Sequence, residues 1–107
     1  MESSVTGGGR KQKIVFKCAT ADAAPVVVVG DAPELGAWDL SAALVLISQP
    51  CSQGGFDWIG QAELSLGHTI EYKFVKMNGQ NARWESGNNR RFTVIPVLHA
   101  LDADFRE

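Results

Sequence analysis

An all-β fold, an antiparallel β-sandwich or distorted barrel, is the architecture this sequence predicts, and three observations carry the prediction. Short runs of apolar or alternating residues recur from Lys13 onward. Gly, Pro, Asp and Asn interrupt them at regular short intervals, as turns between strands require. No stretch repeats its apolar residues at helical spacing over a useful length. The 107 residues, 45% of them hydrophobic, suffice for one core and leave little room for a second domain.

Residues 1–12 carry Ser, Thr and a run of glycines without periodicity, and they read as a flexible lead-in or linker end before a folded domain over residues 13–107. Lys13 to Ala19 alternates Ile14, Phe16 and Cys18 against Lys13, Val15 and Lys17, giving one core face and one partly solvated face. Val26 to Val29 is a continuous β-branched run closed by Gly30, the mark of a central strand covered on both sides. Ala43 to Ile47 reads as the third strand. Phe56 to Ser65 and Thr69 to Met77 flank Leu66-Gly67-His68 and read as a hairpin. In the second of these, Ile70, Tyr72 and Phe74 share one face and Glu71, Lys73 and Val75 the other, which places Lys73 opposite the core. Asn78-Gly79 is a tight-turn signal leading into Asn81 to Glu85. Arg91 to Ile95 and Val97 to Phe105 close the domain, with Pro96 kinking the chain or moving it to the other sheet.

Composition excludes several function classes. Ten Lys and Arg against twelve Asp and Glu leave no net field to recruit nucleic acid or an anionic membrane surface. No apolar run approaches the roughly 20 residues that span a bilayer, and Met1 to Lys13 lacks the apolar centre of a secretory signal. Cys18 and Cys51 fit no CxxC spacing and read as free thiols rather than a pair, which leans towards an intracellular setting, plastid or cytoplasm. His68 and His99 are isolated, and neither a nucleophile elbow, a metal-ligand spacing nor a phosphate-cradling loop is present. No catalytic residue, metal or cofactor is expected, and the domain is expected to be a monomer.

The chemistry concentrates in Trp84-Glu85-Ser86-Gly87-Asn88-Asn89-Arg90, where an indole stands beside a carboxylate, an amide pair and a guanidinium in a segment too polar for core. A flat aromatic face ringed by short hydrogen-bonding groups suits a sugar ring, with its apolar face and rim of hydroxyls. Trp38 lies in a loop built on Pro33 and Gly36, and Trp58 opens a strand after Gly54-Gly55. Each indole alone also reads as a seal on the edge of the core with its N–H solvated. Lys73 and Glu85 equally read as solvated strand residues, Asn88 and Asn89 as turn formers, and Arg90 and Arg91 as surface ion-pair partners of Glu85 with little energetic value. Glu85 lacks the second carboxyl group that glycoside hydrolysis needs.

Taken in order, Val29-Gly30-Asp31-Ala32-Pro33-Glu34-Leu35-Gly36-Ala37-Trp38-Asp39, then Trp58, then Ile70-Glu71-Tyr72-Lys73-Phe74-Val75, then Trp84 to Arg90 resemble the starch-binding domain of carbohydrate-binding module family 20. The resemblance implies an immunoglobulin-like sandwich of roughly seven to eight strands that binds α-1,4-glucans without hydrolysing them and docks a parent protein onto polysaccharide. Starch, amylose, maltooligosaccharides and cyclodextrin are the implied ligands, with glycogen a further candidate. It implies a first sugar site of Trp38, Lys73, Trp84, Glu85 and Asn89, in which the two indoles form a platform and Glu85 accepts from a hydroxyl. For a second site it supplies Trp58 without the tyrosines that would accompany it, so Trp58 is expected as a weak sugar contact or a rim-packing residue. Secreted family members often carry a disulfide between the chain ends, where Cys18 and Cys51 do not sit. Secretion as part of an amylolytic enzyme is the alternative setting. The rival reading is an immunoglobulin-like interaction or structural module whose tryptophans seal the sandwich.

Overall fold

The computed structural model describes residues 10–51, 54–79, 81–97 and 99–107. The lead-in expected at residues 1–9 lies outside the described residues. Those described form nine strands: β1 (Lys11–Thr20), β2 (Val26–Gly30), β3 (Leu44–Val45), β4 (Ile47–Pro50), β5 (Phe56–Ser65), β6 (Thr69–Asn78), β7 (Asn81–Trp84), β8 (Arg90–Thr93) and β9 (His99–Asp104). They make two sheets, one ordered β9-β1-β5-β4 and one ordered β3-β2-β6-β7, with β8 also pairing β6. Every pairing is antiparallel except that of β9 with β1.

The core lies between the sheets and follows the alternation of the sequence. From β1, Ile14, Phe16 and Cys18 point inward and are fully buried, facing Ile70, Tyr72 and Phe74 of β6. The rings of Phe16 and Tyr72 meet edge-on at 5.3 Å. On β2, Val26 and Val28 join this core, whereas Val27 and Val29 form a second cluster with Val75 on the outer face of their sheet. Leu40, Ala43 and Met77 cover that cluster. The valine run is therefore buried on both faces, as its lack of alternation predicts.

Two connections differ from expectation. The run Ala43 to Ile47 divides: Leu44 and Val45 pair with β2 in one sheet, and Ile47 begins β4, which pairs with β5 in the other. Leu46, between them, is buried in the core, so the chain crosses the sandwich through a single inward side chain. Likewise, β5 and β6 do not form a hairpin. Leu66-Gly67-His68 carries the chain from one sheet to the other, and Leu64 and Ile70 on either side of it both point into the core. Gly67, at φ 82°, donates its N–H to the Val94 carbonyl. Pro96 stands at a further crossover, between β8 of one sheet and β9 of the other.

Lys76 shares the parity of Ile70, Tyr72 and Phe74 and so faces inward, where it is only 4% exposed. Its Nζ reaches Asp22 at 3.2 Å and Glu107 at 3.0 Å and lies 4.6 Å from the centre of the Phe105 ring. The N–H of Ala24 and then the Lys76 ammonium hold the Asp22 carboxyl below its ordinary value. A depressed folded value means that this stabilisation is complete above the unfolded pKa and is lost as the pH falls through the folded one. An Asp22→Asn variant is expected to melt below the wild type at neutral pH. It should also lose less stability than the wild type when thermal melts are carried down through pH 3.8 and below.

Candidate functional site

Trp84 ends β7 directly opposite Val75 of β6, and cross-strand partners share a face. By the period of two, that outward face of β6 also presents Lys73 and Glu71. Trp38 reaches the same region from the loop after β2. Pro33–Leu35 makes one 3₁₀ turn with Leu35 wholly buried, and then Gly36, Ala37 and Trp38 take successive left-handed conformations at φ 87°, 49° and 66°. Gly36 is required twice over, since a Cβ there would lie 2.7 Å from the Asp39 carbonyl oxygen. Ala37 and Trp38 have no such freedom, and each costs about 1–3 kcal/mol in this region.

Surrounding contacts hold the strained turn. The Trp38 N–H donates to the Gly30 carbonyl at 2.8 Å and the Ala37 N–H to that of Ala32 at 3.1 Å. Asp39 accepts from the backbone N–H and hydroxyl of Ser41 at 2.9 and 2.7 Å, which caps the next 3₁₀ turn, Leu40–Ala42. Leu40 and Ala43 then pack onto Val27, Val29 and Val75. The result is a pair of indoles, Trp38 37% and Trp84 41% exposed, with ring centroids 6.4 Å apart and planes tilted by 34°.

Next to Trp84, the Glu85 side chain has no exposed surface. Its Oε2 accepts from the Phe74 N–H at 3.0 Å and from Arg90 Nε at 2.8 Å, and its Oε1 accepts from Arg90 Nη2 at 2.8 Å. Arg90 lies 5.2 Å from the Phe74 ring centre and also donates Nη2 to the Asp104 carbonyl at 2.9 Å. The Glu85 carboxylate raises the pKa of the guanidinium it grips. Against the surface contact expected, the Glu85–Arg90 pair is interior, and the carboxylate, without exposed surface, takes three donors from the protein itself. What Glu85 offers outward is its backbone carbonyl, to which Lys73 Nζ donates at 3.0 Å.

Lys73 spends one of its three donors on that carbonyl. Asn89 is exposed in the loop before β8, and its Nδ2 donates to Glu71 Oε1 at 3.0 Å. That loop is braced by Arg106, whose Nη1 donates to the Asn88 carbonyl at 2.9 Å and whose carbonyl accepts the Ser86 N–H at 2.9 Å. Trp38, Lys73, Trp84 and the Asn89 loop thus belong to the outer side of one sheet. Trp58 does not join them. It is 6% exposed, packs beside Phe56 in the core, and donates its Nε1–H to the Thr20 hydroxyl at 2.9 Å. Of the two expectations for Trp58, a weak sugar contact or rim packing, this burial favours packing.

Both cysteines are free thiols. Burial, then the nearby Glu85 carboxylate, push the buried Cys18 thiol up to about 12. Among the described residues no cluster of His, Cys, Asp and Glu could hold a metal ion, and no helix is long and apolar enough to cross a membrane. Sequence reasoning passed over Glu71 and the interior place of Arg90. Alternation along β6 does reveal Glu71, since it shares the face of Lys73.

A β-sandwich with an exposed indole pair beside short hydrogen-bonding groups is the build of a carbohydrate-binding module. Residues 11–100 match the family model of the Starch binding domain, and the chain belongs to this family, carbohydrate-binding module family 20. It is a non-catalytic binding domain. Glucoamylase-1 of Arthroderma benhamiae is 36% identical over 69 residues, 64% of this chain and 11% of that protein. A cyclomaltodextrin glucanotransferase of Thermoanaerobacterium thermosulfurigenes is 32% identical over 81 residues, 76% of this chain and 11% of the enzyme. The solved structure of a glycoside hydrolase family 15 glucoamylase from Hypocrea jecorina superposes with a TM-score of 0.83 at 25% identity, over 94% of this chain and 18% of that one. The chain therefore corresponds to a small part of the relatives it matches.

Breaking a buried ion pair by removing one partner costs about 3–5 kcal/mol, because the other charge is stranded. Glu85→Gln is expected to lose about 3 kcal/mol in urea unfolding, whereas Arg91→Ala, which removes an exposed partner 3.9 Å from Glu71, should shift stability by under about 1 kcal/mol. Ala37→Gly relieves a left-handed alanine and should raise the same unfolding free energy by about 0.5–1 kcal/mol.

Proposed function

We propose that Trp38 and Trp84 form the sugar platform of this module and that it docks a longer amylolytic or glucan-transferring enzyme onto starch. The observation that carries this reading is the pair of half-exposed indoles at 6.4 Å with a 34° tilt. Two tilted aromatic planes suit a bent α-1,4-glucan, with consecutive rings laid one on each indole. Each stacking contact contributes about 1 kcal/mol beyond burial. Lys73 Nζ and the Asn89 amide reach for hydroxyls at the rim, each net about 0.5–1.5 kcal/mol once water is displaced. Glu85 supports from within, through the carbonyl that anchors Lys73 and through the carboxylate that fixes Arg90.

After the entropic cost of association, one such site binds amylose segments, maltooligosaccharides or a cyclodextrin at about micromolar to millimolar levels. A granule presents many such segments, so a parent with several modules gains by avidity. One site on one chain needs no second copy, which fits a monomer. Kinship with a glucoamylase and a cyclomaltodextrin glucanotransferase supports membership of an amylolytic enzyme, the alternative setting, over a plastid or cytoplasmic one.

Trp38→Ala and Trp84→Ala are each expected to abolish sedimentation with starch granules while leaving thermal unfolding close to the wild type. Trp58→Ala should do the reverse, lowering the melting temperature by removing a core indole while the remaining folded protein still binds. If Trp38→Ala and Trp84→Ala both still sediment with starch, the platform reading is wrong.

A further inference from the structure

We infer that Glu71 is a positioning residue for sugar recognition: its carboxylate fixes the Asn89 amide so that Asn89 turns its carbonyl oxygen, and not its nitrogen, towards the ligand. The inference rests on the platform reading above and assigns a polarity to its rim. Glu71 lies on β6, on the outward face that also carries Lys73 and Val75. Its backbone is locked on both sides, since Asp31 Oδ1 accepts the Glu71 N–H at 3.1 Å and the Asp31 N–H donates to the Glu71 carbonyl at 3.0 Å. Across the sheet, Glu71 stands in register with Arg91. The side chain divides its two oxygens accordingly: Oε1 accepts from Asn89 Nδ2 at 3.0 Å, and Oε2 faces Arg91 Nε at 3.9 Å.

A carboxylate has acceptors only, whereas an asparagine amide has one face that donates and one that accepts. Of the two orientations related by a half-turn of the amide, only one sets a donor against Glu71. The other brings two acceptors together and is disfavoured. The loop is braced by the Arg106 contacts to Ser86 and Asn88, which hold its backbone beside Glu71. Asn89 Oδ1 is thereby left to accept from a ligand hydroxyl, while Lys73 Nζ donates to one. The rim asks for one hydroxyl as donor and another as acceptor, an ordered demand that a freely turning amide would not make.

The test is calorimetric titration with β-cyclodextrin of the wild type, Glu71→Ala, Glu71→Gln, Asn89→Ala and the double variant Glu71→Ala/Asn89→Ala, with a thermal melt of each. Glu71→Ala is expected to weaken binding about threefold to tenfold, the loss of roughly one hydrogen bond, with its melting temperature unchanged. Glu71→Gln can still present an acceptor to Asn89 and should recover part of that loss. Since Glu71 acts only through Asn89, the double variant should bind no more weakly than Asn89→Ala alone. In NMR spectra the separation between the two Asn89 side-chain amide proton shifts should be wider in the wild type than in Glu71→Ala. Wild-type affinity in Glu71→Ala, or a double variant whose loss equals the sum of the single losses, overturns the inference. If Trp38→Ala and Trp84→Ala abolish cyclodextrin binding while Glu71→Ala does not weaken it, only this inference falls; if neither tryptophan matters, the platform falls and the inference with it.

Discussion

The Glu85 carboxylate has no exposed surface, yet it sits one residue from the exposed indole of Trp84, and its grip on Arg90 governs what lies around it. Taking a carboxylate and a guanidinium out of water is costly unless both are nearly saturated with partners. Here the carboxylate receives two bonds from Arg90 and one from the Phe74 N–H, and the guanidinium gives a further bond to the Asp104 carbonyl. The bidentate geometry is the strongest form of such a pair. With the side chain pinned, the Glu85 carbonyl is fixed as the acceptor for Lys73, and Trp84 is fixed as the last residue of its strand. A charged pair within the sandwich thus places three groups of the surface site.

The other indole of the pair is held by a different means. Trp38 is carried on three successive left-handed residues, two of which are not glycine. Such a conformation persists only where its surroundings over-determine it. They do so through the Gly30 carbonyl, the Ser41 cap on Asp39, and the seating of Leu40 and Ala43 on the outer valine cluster. For the proposed platform, strain retained in the free protein is ordering that a ligand need not supply, which favours affinity by pre-organisation. The valines at positions 27 and 29 make up the outer face of β2, and it is on them that Leu40 and Ala43 of this loop rest.

Much of this was legible in the sequence. The alternation of Ile14, Phe16 and Cys18, the unbroken valine run, and the placing of Trp38 and Trp84 at polar loop margins all follow from side-chain type and the period of two. The hairpin expected around Gly67 did not form because alternation is the same whether two strands pair side by side or face each other across a core. Leu46 misled for a related reason: one apolar residue in a run of them gives no sign that the chain changes sheets there. Glu85 and Arg90 were invisible as an interior pair, since two charges five positions apart in a polar loop segment ordinarily meet in water. Trp58 follows two glycines, like a loop residue, but β1 pairing brings Thr20 within reach of its indole, and no local pattern encodes that. Lys76 stood on the core face by simple parity and was passed over because lysine is so seldom buried.

The bond from Arg90 to the Asp104 carbonyl has a thermodynamic meaning beyond its own strength. It joins β8, beside the proposed glucan site, to β9 of the opposite sheet, so the strands behind the indole pair and the strand that closes the other sheet are tied into one cooperative unit. Local opening at the site, of the kind that lets binding loops fray independently, would have to expose Glu85 and breach the core at the same time. Occupancy of a site built this way is felt by the whole domain: ligand held at the surface adds its free energy to the global unfolding equilibrium rather than to a local one.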